Sequence, residues 1–119
     1  MLGFHWAYNV HISGQLSADA QGCIYCPEGM TLYCVAGTNS TAGVPQLKIG
    51  TTSGGNDILA YTNMGASGTP VALIQSNTAS PFTLPLYHVS AGGHIFWFLD
   101  YDANGTVTDL DLLFDFIEG

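Results

Sequence analysis

Basic residues are almost absent from this chain: Lys48 is the sole Lys or Arg against nine carboxylates, for a formal charge of −8. A nucleic-acid binder neutralises phosphates with Lys and Arg, so no nucleic-acid partner is expected. The same deficit disfavours an anionic membrane surface or a phosphate-bearing cofactor. Charge of either sign is scarce, at 8% of residues, far below the usual quarter. No apolar run approaches the ~18 residues of a membrane-spanning helix. The opening MLGFHWAYNV has no basic region and is interrupted by His5 and Asn9, so it does not read as a secretory signal. Cysteines number three, Cys23, Cys26 and Cys34, too few and too odd for a complete internal disulfide set. Cys23-x-x-Cys26 with Cys34 offers three thiolates that zinc could share with a histidine. Without a second CxxC pair, reduced cysteines in a strand and loop are the expectation.

What is present is apolar and turn-rich. Hydrophobic residues make up 47% of 119 residues, enough for one domain that buries roughly two-thirds of its unfolded surface. Phe4, Trp6, Tyr8, Val10 and Ile12 alternate with polar or small residues, the period of a strand with one buried face. Further strands are expected at Cys23–Cys26, Met30–Ala36, Val44–Ile49, Asp57–Tyr61, Val71–Ile74 and Phe82–Val89, separated by Gly-, Ser-, Thr- and Asn-rich turns. Pro45 should stand at an edge or open its strand, and Pro85 argues for an edge or a bulge. About eight short strands with regular turns and no clear helical period indicate an all-β, single-domain sandwich over residues 1–119. Eight strands with a long closing hairpin favour a jelly roll over an immunoglobulin-like topology.

The closing stretch, His94 to Phe116, admits two readings. Asp100, Asp102, Asn104, Gly105 and Asp111 match the first, third, fifth, sixth and twelfth places of a calcium loop. Asn104-Gly105 is equally a strong two-residue hairpin signal. With that turn, Leu99 meets Leu110, Trp97 meets Leu112 and Ile95 meets Phe114 on one face. On the other, His94 meets Asp115 and Phe98 meets Asp111. Pattern and turn agree, so a C-terminal β-hairpin over 94–117 is expected. In that register Asp100 faces Asp109 with Asp102 nearby, a like-charge cluster that a calcium ion could relieve and that solvent could equally screen.

His5 and His11 share a strand face but stand too far apart for one ion. No Ser-His-Asp or Cys-His arrangement has local support, so no enzymatic activity is expected. The aromatics, Tyr101 at the hairpin tip foremost, could form a sugar-binding platform on a β-sandwich, which makes a lectin-like module the alternative function.

From Leu47 to Ala60 the chain reads LKIGTTSGGNDILA. A strand running into G-T-x-x-G-G-x-D-I, followed by short strands and an aromatic hairpin, resembles the small capsid decoration (cement) proteins of tailed bacteriophages over roughly Val44 to Ile117. The resemblance implies a jelly-roll domain, commonly a homotrimer, on the outer capsid surface, bracing neighbouring major capsid protein subunits and carrying no catalytic residues. It further implies synthesis in the reducing cytoplasm of a bacterial host, and a large, mostly uncharged contact surface. Thr51, Thr52, Gly54, Gly55 and Asp57 are the candidate partner-binding residues, since small side chains let backbone approach a partner closely. A plain tight turn is the alternative reading of Gly54-Gly55.

Overall fold

The structure, a computed structural model, describes residues 5–67, 69–74, 88–101 and 105–118. Those residues form ten strands and no helix: β1 (His5–Gln15), β2 (Ala20–Cys26), β3 (Met30–Thr38), β4 (Gln46–Gly50), β5 (Leu59–Asn63), β6 (Gly65–Ala66), β7 (Thr69–Ile74), β8 (His88–Val89), β9 (Gly93–Asp100) and β10 (Thr108–Glu118). Early strands pair with late ones, all antiparallel: β1 with β10, β2 with β9, and β3 with both β8 and β7. Two sheets result. One runs β1-β10-β3-β7-β6, with β8 also on β3, and the other runs β2-β9-β4-β5. This is the connectivity of a long antiparallel hairpin rolled on itself, so that β1, β2, β3 and β4 alternate between the sheets. The expected jelly-roll sandwich is the observed fold.

Alternation sets which side of each strand is buried. Leu110, Leu112, Phe114 and Phe116 of β10 point inward beside Leu32 and Val35 of β3. Opposing them are Ile95, Trp97 and Leu99 of β9, Leu47 and Ile49 of β4, and Ile24 of β2. The two layers meet where the Trp97 and Phe114 rings lie 6.1 Å apart. β1 is an edge strand whose inward row is only half-covered: Trp6, Val10 and Ile12 pack against the core, while Tyr8 stays 37% exposed. Phe4 lies outside the described residues.

The expected hairpin over 94–117 is corrected in its pairing. β9 lies between β2 and β4, and β10 lies between β1 and β3 in the other sheet. The two strands face each other across the core instead of side by side. The cause is the loop that follows β3. Its Gly43 N–H donates to Thr106 O (3.0 Å), its Thr41 Oγ1 donates to the same oxygen (2.6 Å), and Ser40 N–H donates to Thr108 O (2.8 Å). Leu16 N–H adds a bond to Val107 O (2.9 Å). These bonds draw the chain beyond Gly105 away from β9 and onto the first sheet. Gly43 is required there, because an added Cβ would run into the Thr106 carbonyl. The inward stripe expected from the sequence nevertheless survives whole.

Asn39 anchors that loop. It is buried, and its side chain makes four hydrogen bonds: Nδ2 donates to Gly43 O and Gly65 O (2.9 Å each), and Oδ1 accepts from Thr41 N (2.9 Å) and Thr41 Oγ1 (2.7 Å). Pro45 stands just before β4, its carbonyl accepting from Met64 N–H (2.9 Å), so β4 is an interior strand. Of the strand expected over Phe82–Val89, His88 and Val89 are described as β8; the rest, Pro85 included, lies outside the described residues.

Candidate functional site

The loop between β4 and β5 carries the candidate partner-binding residues, and its form is dictated by one carboxylate. Asp57 accepts from Thr51 N–H at 2.8 Å and from Thr51 Oγ1 at 2.6 Å. Gly55 N–H donates to Thr52 O (2.9 Å), and Ile58 N–H returns the chain to Ile49 O (3.0 Å). Gly54 adopts a left-handed φ of 74° at the exposed tip. The hydrogen bond from the Thr51 hydroxyl, chiefly, holds the Asp57 carboxyl below the usual aspartate range. Thr51, Thr52, Gly55 and Asp57 thus serve first to close the loop on itself, with Ser53 and Gly54 exposed at its tip.

That loop overhangs the outward face of the second sheet. Ser53 and Gly54 enclose a cavity of about 200 Å³ together with Gln21, Cys23 and Phe96. From its edge a row of rings runs across the sheet. Tyr25 packs on His94 (centroids 5.1 Å apart), and His94 stacks on Phe96 (6.3 Å). Lys48, the chain's single basic side chain, sits with its Nζ 4.9 Å from the Tyr61 ring and 5.1 Å from Phe98. Tyr25 is 54% exposed and Tyr61 42%. The sequence carried a signal for this face: β9 is apolar at both parities, with Ile95, Trp97 and Leu99 turned inward and Phe96 and Phe98 outward. Tyr101, expected to stand out at a hairpin tip, instead packs partly buried against the core, its N–H donating to Asp19 Oδ1 (3.2 Å).

The cross-strand pairing expected within the acidic cluster at the hairpin tip is undone by the same topology. Asp100 stands on β9, in register with Gln46 of β4. Asp109 stands at the start of β10 in the other sheet, with a left-handed φ of 50°. Its carboxylate accepts from Gly14 N–H (2.7 Å) and Ser40 Oγ (3.4 Å). The cross-strand Asp100–Asp109 pair is therefore absent, and Asp102 lies outside the described residues. Among the described residues no group of three or more His, Cys, Asp or Glu side chains is placed to hold a metal.

The outward face of the first sheet has a different chemistry. His11 Nδ1 meets Asp111 Oδ1 at 2.8 Å, and His5 Nδ1 meets Asp115 Oδ2 at 3.3 Å, both across the β1–β10 pairing. The expected His94–Asp115 pair is replaced by His5–Asp115, because His94 belongs to the other sheet. Beside these pairs, small residues (Ala36, Gly37 and Ala72) leave a groove of about 260 Å³ walled by Leu113 and Asp111. Cys23 is exposed and Cys26 is buried, as a three-residue step along a strand requires; opposite faces cannot bind one zinc ion. Burial pushes the Cys26 thiol up, and burial with the nearby Asp115 charge does the same to Cys34. All three cysteines are free thiols.

No protein-family model matches the chain, and no curated protein matches it. Solved structures do. A chain of the cyanophage Pam1 capsid asymmetric unit superposes with a TM-score of 0.52 at 13% identity, over 98% of this chain and 86% of that one. A chain of Desmodium yellow mottle tymovirus superposes at 0.42 with 8% identity, over 98% of this chain and 86% of that one. A chain from a structure described as "CBM4 structure and function" gives 0.41 at 13% identity, over 92% of this chain and 78% of that one. The two lower scores add nothing to the fold assignment. The first is a likeness of fold: this chain has the jelly-roll architecture found in a viral capsid.

Proposed function

We propose that this chain is a non-enzymatic structural protein of a virion, a decoration (cement) protein that binds the outer capsid surface of a tailed bacteriophage. It would brace neighbouring major capsid subunits as a homotrimer, after synthesis in the bacterial cytoplasm. The observation that carries this reading is the rolled-hairpin connectivity, shared over 98% of the chain with a capsid component. Composition supports it. With one basic residue in 119, the exterior suits broad, mostly uncharged protein contact better than nucleic acid or anionic lipid. Three reduced thiols fit a reducing site of synthesis. The loop closed by Asp57 on Thr51 presents a shape-stable tip for contact, with Thr52, Gly54 and Gly55 allowing close backbone approach.

The test is add-back. Purified chain is mixed with capsids of the source particle from which it has been stripped, and the two are sedimented together. Saturable co-sedimentation is expected, with light scattering of the free chain giving a trimer mass. A monomer that stays in the supernatant at every concentration would overturn the reading.

A further inference from the structure

The two outward faces of the sandwich are chemically unequal. On the first sheet the carboxylates of Asp111 and Asp115 are already engaged by His11 and His5, beside a groove lined mainly by small and apolar side chains. On the second sheet Tyr25, Phe96, Phe98 and Tyr61 stand outward, and two of the three large hydrophobic side chains most exposed among the described residues lie there. The one Lys or Arg of a chain of net charge −8 lies there between Tyr61 and Phe98. Among the described residues the Lys48 ammonium has no carboxylate partner; its neighbours are aromatic rings. Asp100, at the margin of this face, is the one carboxylate that β2, β9, β4 and β5 contribute to it.

We infer that this face, β2-β9-β4-β5 together with the Ser53-Gly54 tip, is the surface that docks on the capsid shell, with the histidine–aspartate face turned to solvent. The inference rests on the decoration-protein reading and adds to it an orientation and a partner chemistry. The patch it would meet is apolar, offering methyl or aromatic groups to Tyr25, Phe96 and Tyr61, with a carboxylate over Lys48. Burying exposed rings of this size is the main source of binding energy in protein interfaces. An aromatic-flanked ammonium gains most from a carboxylate once water is excluded.

A second copy of the chain is a poorer occupant. Each copy carries a net charge of −8, so pressing two such faces together sets like charge against like, with only the marginal Asp100 of each to answer the other's Lys48. Stacking one face on the other kind fares no better, because the two lie on opposite sides of the sandwich, and such a contact propagates instead of closing. The cavity under Ser53 and Gly54 joins the candidate loop to the ring row, so that loop and face form one continuous surface.

The experiment uses the full chain and stripped capsids of the source particle. Tyr25→Ser, Tyr61→Ser and Lys48→Glu change side chains on the proposed face, and Asp111→Asn changes the opposite face. Melting curves verify folding, with Tyr25→Ser the safest probe because that ring is the most exposed. Capsid affinity is expected to fall at least tenfold for each face variant and to stay within twofold of wild type for Asp111→Asn. Wild-type co-sedimentation with unchanged affinity in all three face variants would overturn the docking face while leaving the decoration reading intact. Failure of the wild type itself to bind would overturn both. If the face variants keep capsid affinity but lose binding to an array of immobilised oligosaccharides, the face is a glycan site and the inference is wrong. A change in the oligomer mass of the free chain, with capsid affinity kept, would assign the face to self-association and overturn it equally.

Discussion

Replacing Asn39 with Ala should damage this fold more than any surface change, and the size of the loss follows from four hydrogen bonds. The side chain is buried, 4% exposed, and donates to Gly43 O and Gly65 O while accepting from the backbone and hydroxyl of Thr41. Each such bond contributes about 1 kcal/mol net, and the groups left behind are partly buried. Water entering the vacated space restores some of them, so the expected loss is about 3 kcal/mol, a large share of the roughly 5–15 kcal/mol typical of a domain. Thr41 and Gly43 also grip Thr106, so the loss reaches the point where the chain enters β10. Urea unfolding should show a lower midpoint at unchanged slope, with a melting temperature lower by on the order of 10 °C. Asn39→Asp sharpens the test, because a carboxylate facing two carbonyl oxygens cannot donate. That variant should be at least as unstable near neutral pH and should recover as the pH falls and the carboxyl gains a proton. A loss under about 1 kcal/mol for Asn39→Ala would show that the loop after β3 is held by other means.

Gly22→Ala should also destabilise, by about 1–3 kcal/mol, because the new Cβ would lie 2.6 Å from Trp97 Nε1 and displace the indole. A tryptophan emission shift in that variant, in a Trp6→Phe background, reports the displaced indole; full stability with unchanged emission would contradict this packing. Asp57, whose carboxyl is held below its ordinary value by Thr51, contributes loop order that is complete above about pH 3.9 and is lost as the pH falls through the lower folded value. The Thr51 amide resonance should therefore titrate with a midpoint below that ordinary value, and a midpoint above it would refute the pairing. Chelator should leave the melting temperature unchanged, since the Asp109 carboxylate is satisfied by Gly14 and Ser40. A fall of several degrees would return calcium to consideration.

Much of the architecture was legible because a jelly roll is built from two-residue periodicity. The inward residues Ile95, Trp97, Leu99, Leu110, Leu112 and Phe114 follow from alternation alone. Alternation states which side of a strand is buried; it is silent on which strand lies alongside. Asn104-Gly105 is a turn signal compatible with two strands in one sheet or with a crossing between sheets, and the deciding bonds come from Ser40, Thr41 and Gly43, more than 60 residues away in the chain. Asn39 looks like an ordinary loop residue until its four partners are in place. The outward ring row was half-legible. β9 reads as apolar on both parities, but Tyr25, Lys48 and Tyr61 join it only once β2, β4 and β5 are assembled. The Thr51–Asp57 motif was visible as small residues with one acid, while the closing role of that acid depends on a turn geometry that residue types alone do not specify.

The most direct measurement is a cryo-electron density map of the source particle at a resolution that traces strands. A β-sandwich should appear on the outer shell, with β2-β9-β4-β5 toward the major capsid protein and the His5–Asp115 and His11–Asp111 pairs facing solvent. A shell with no density for this chain would contradict the proposed function, and a sandwich seated by its histidine–aspartate face would contradict the orientation.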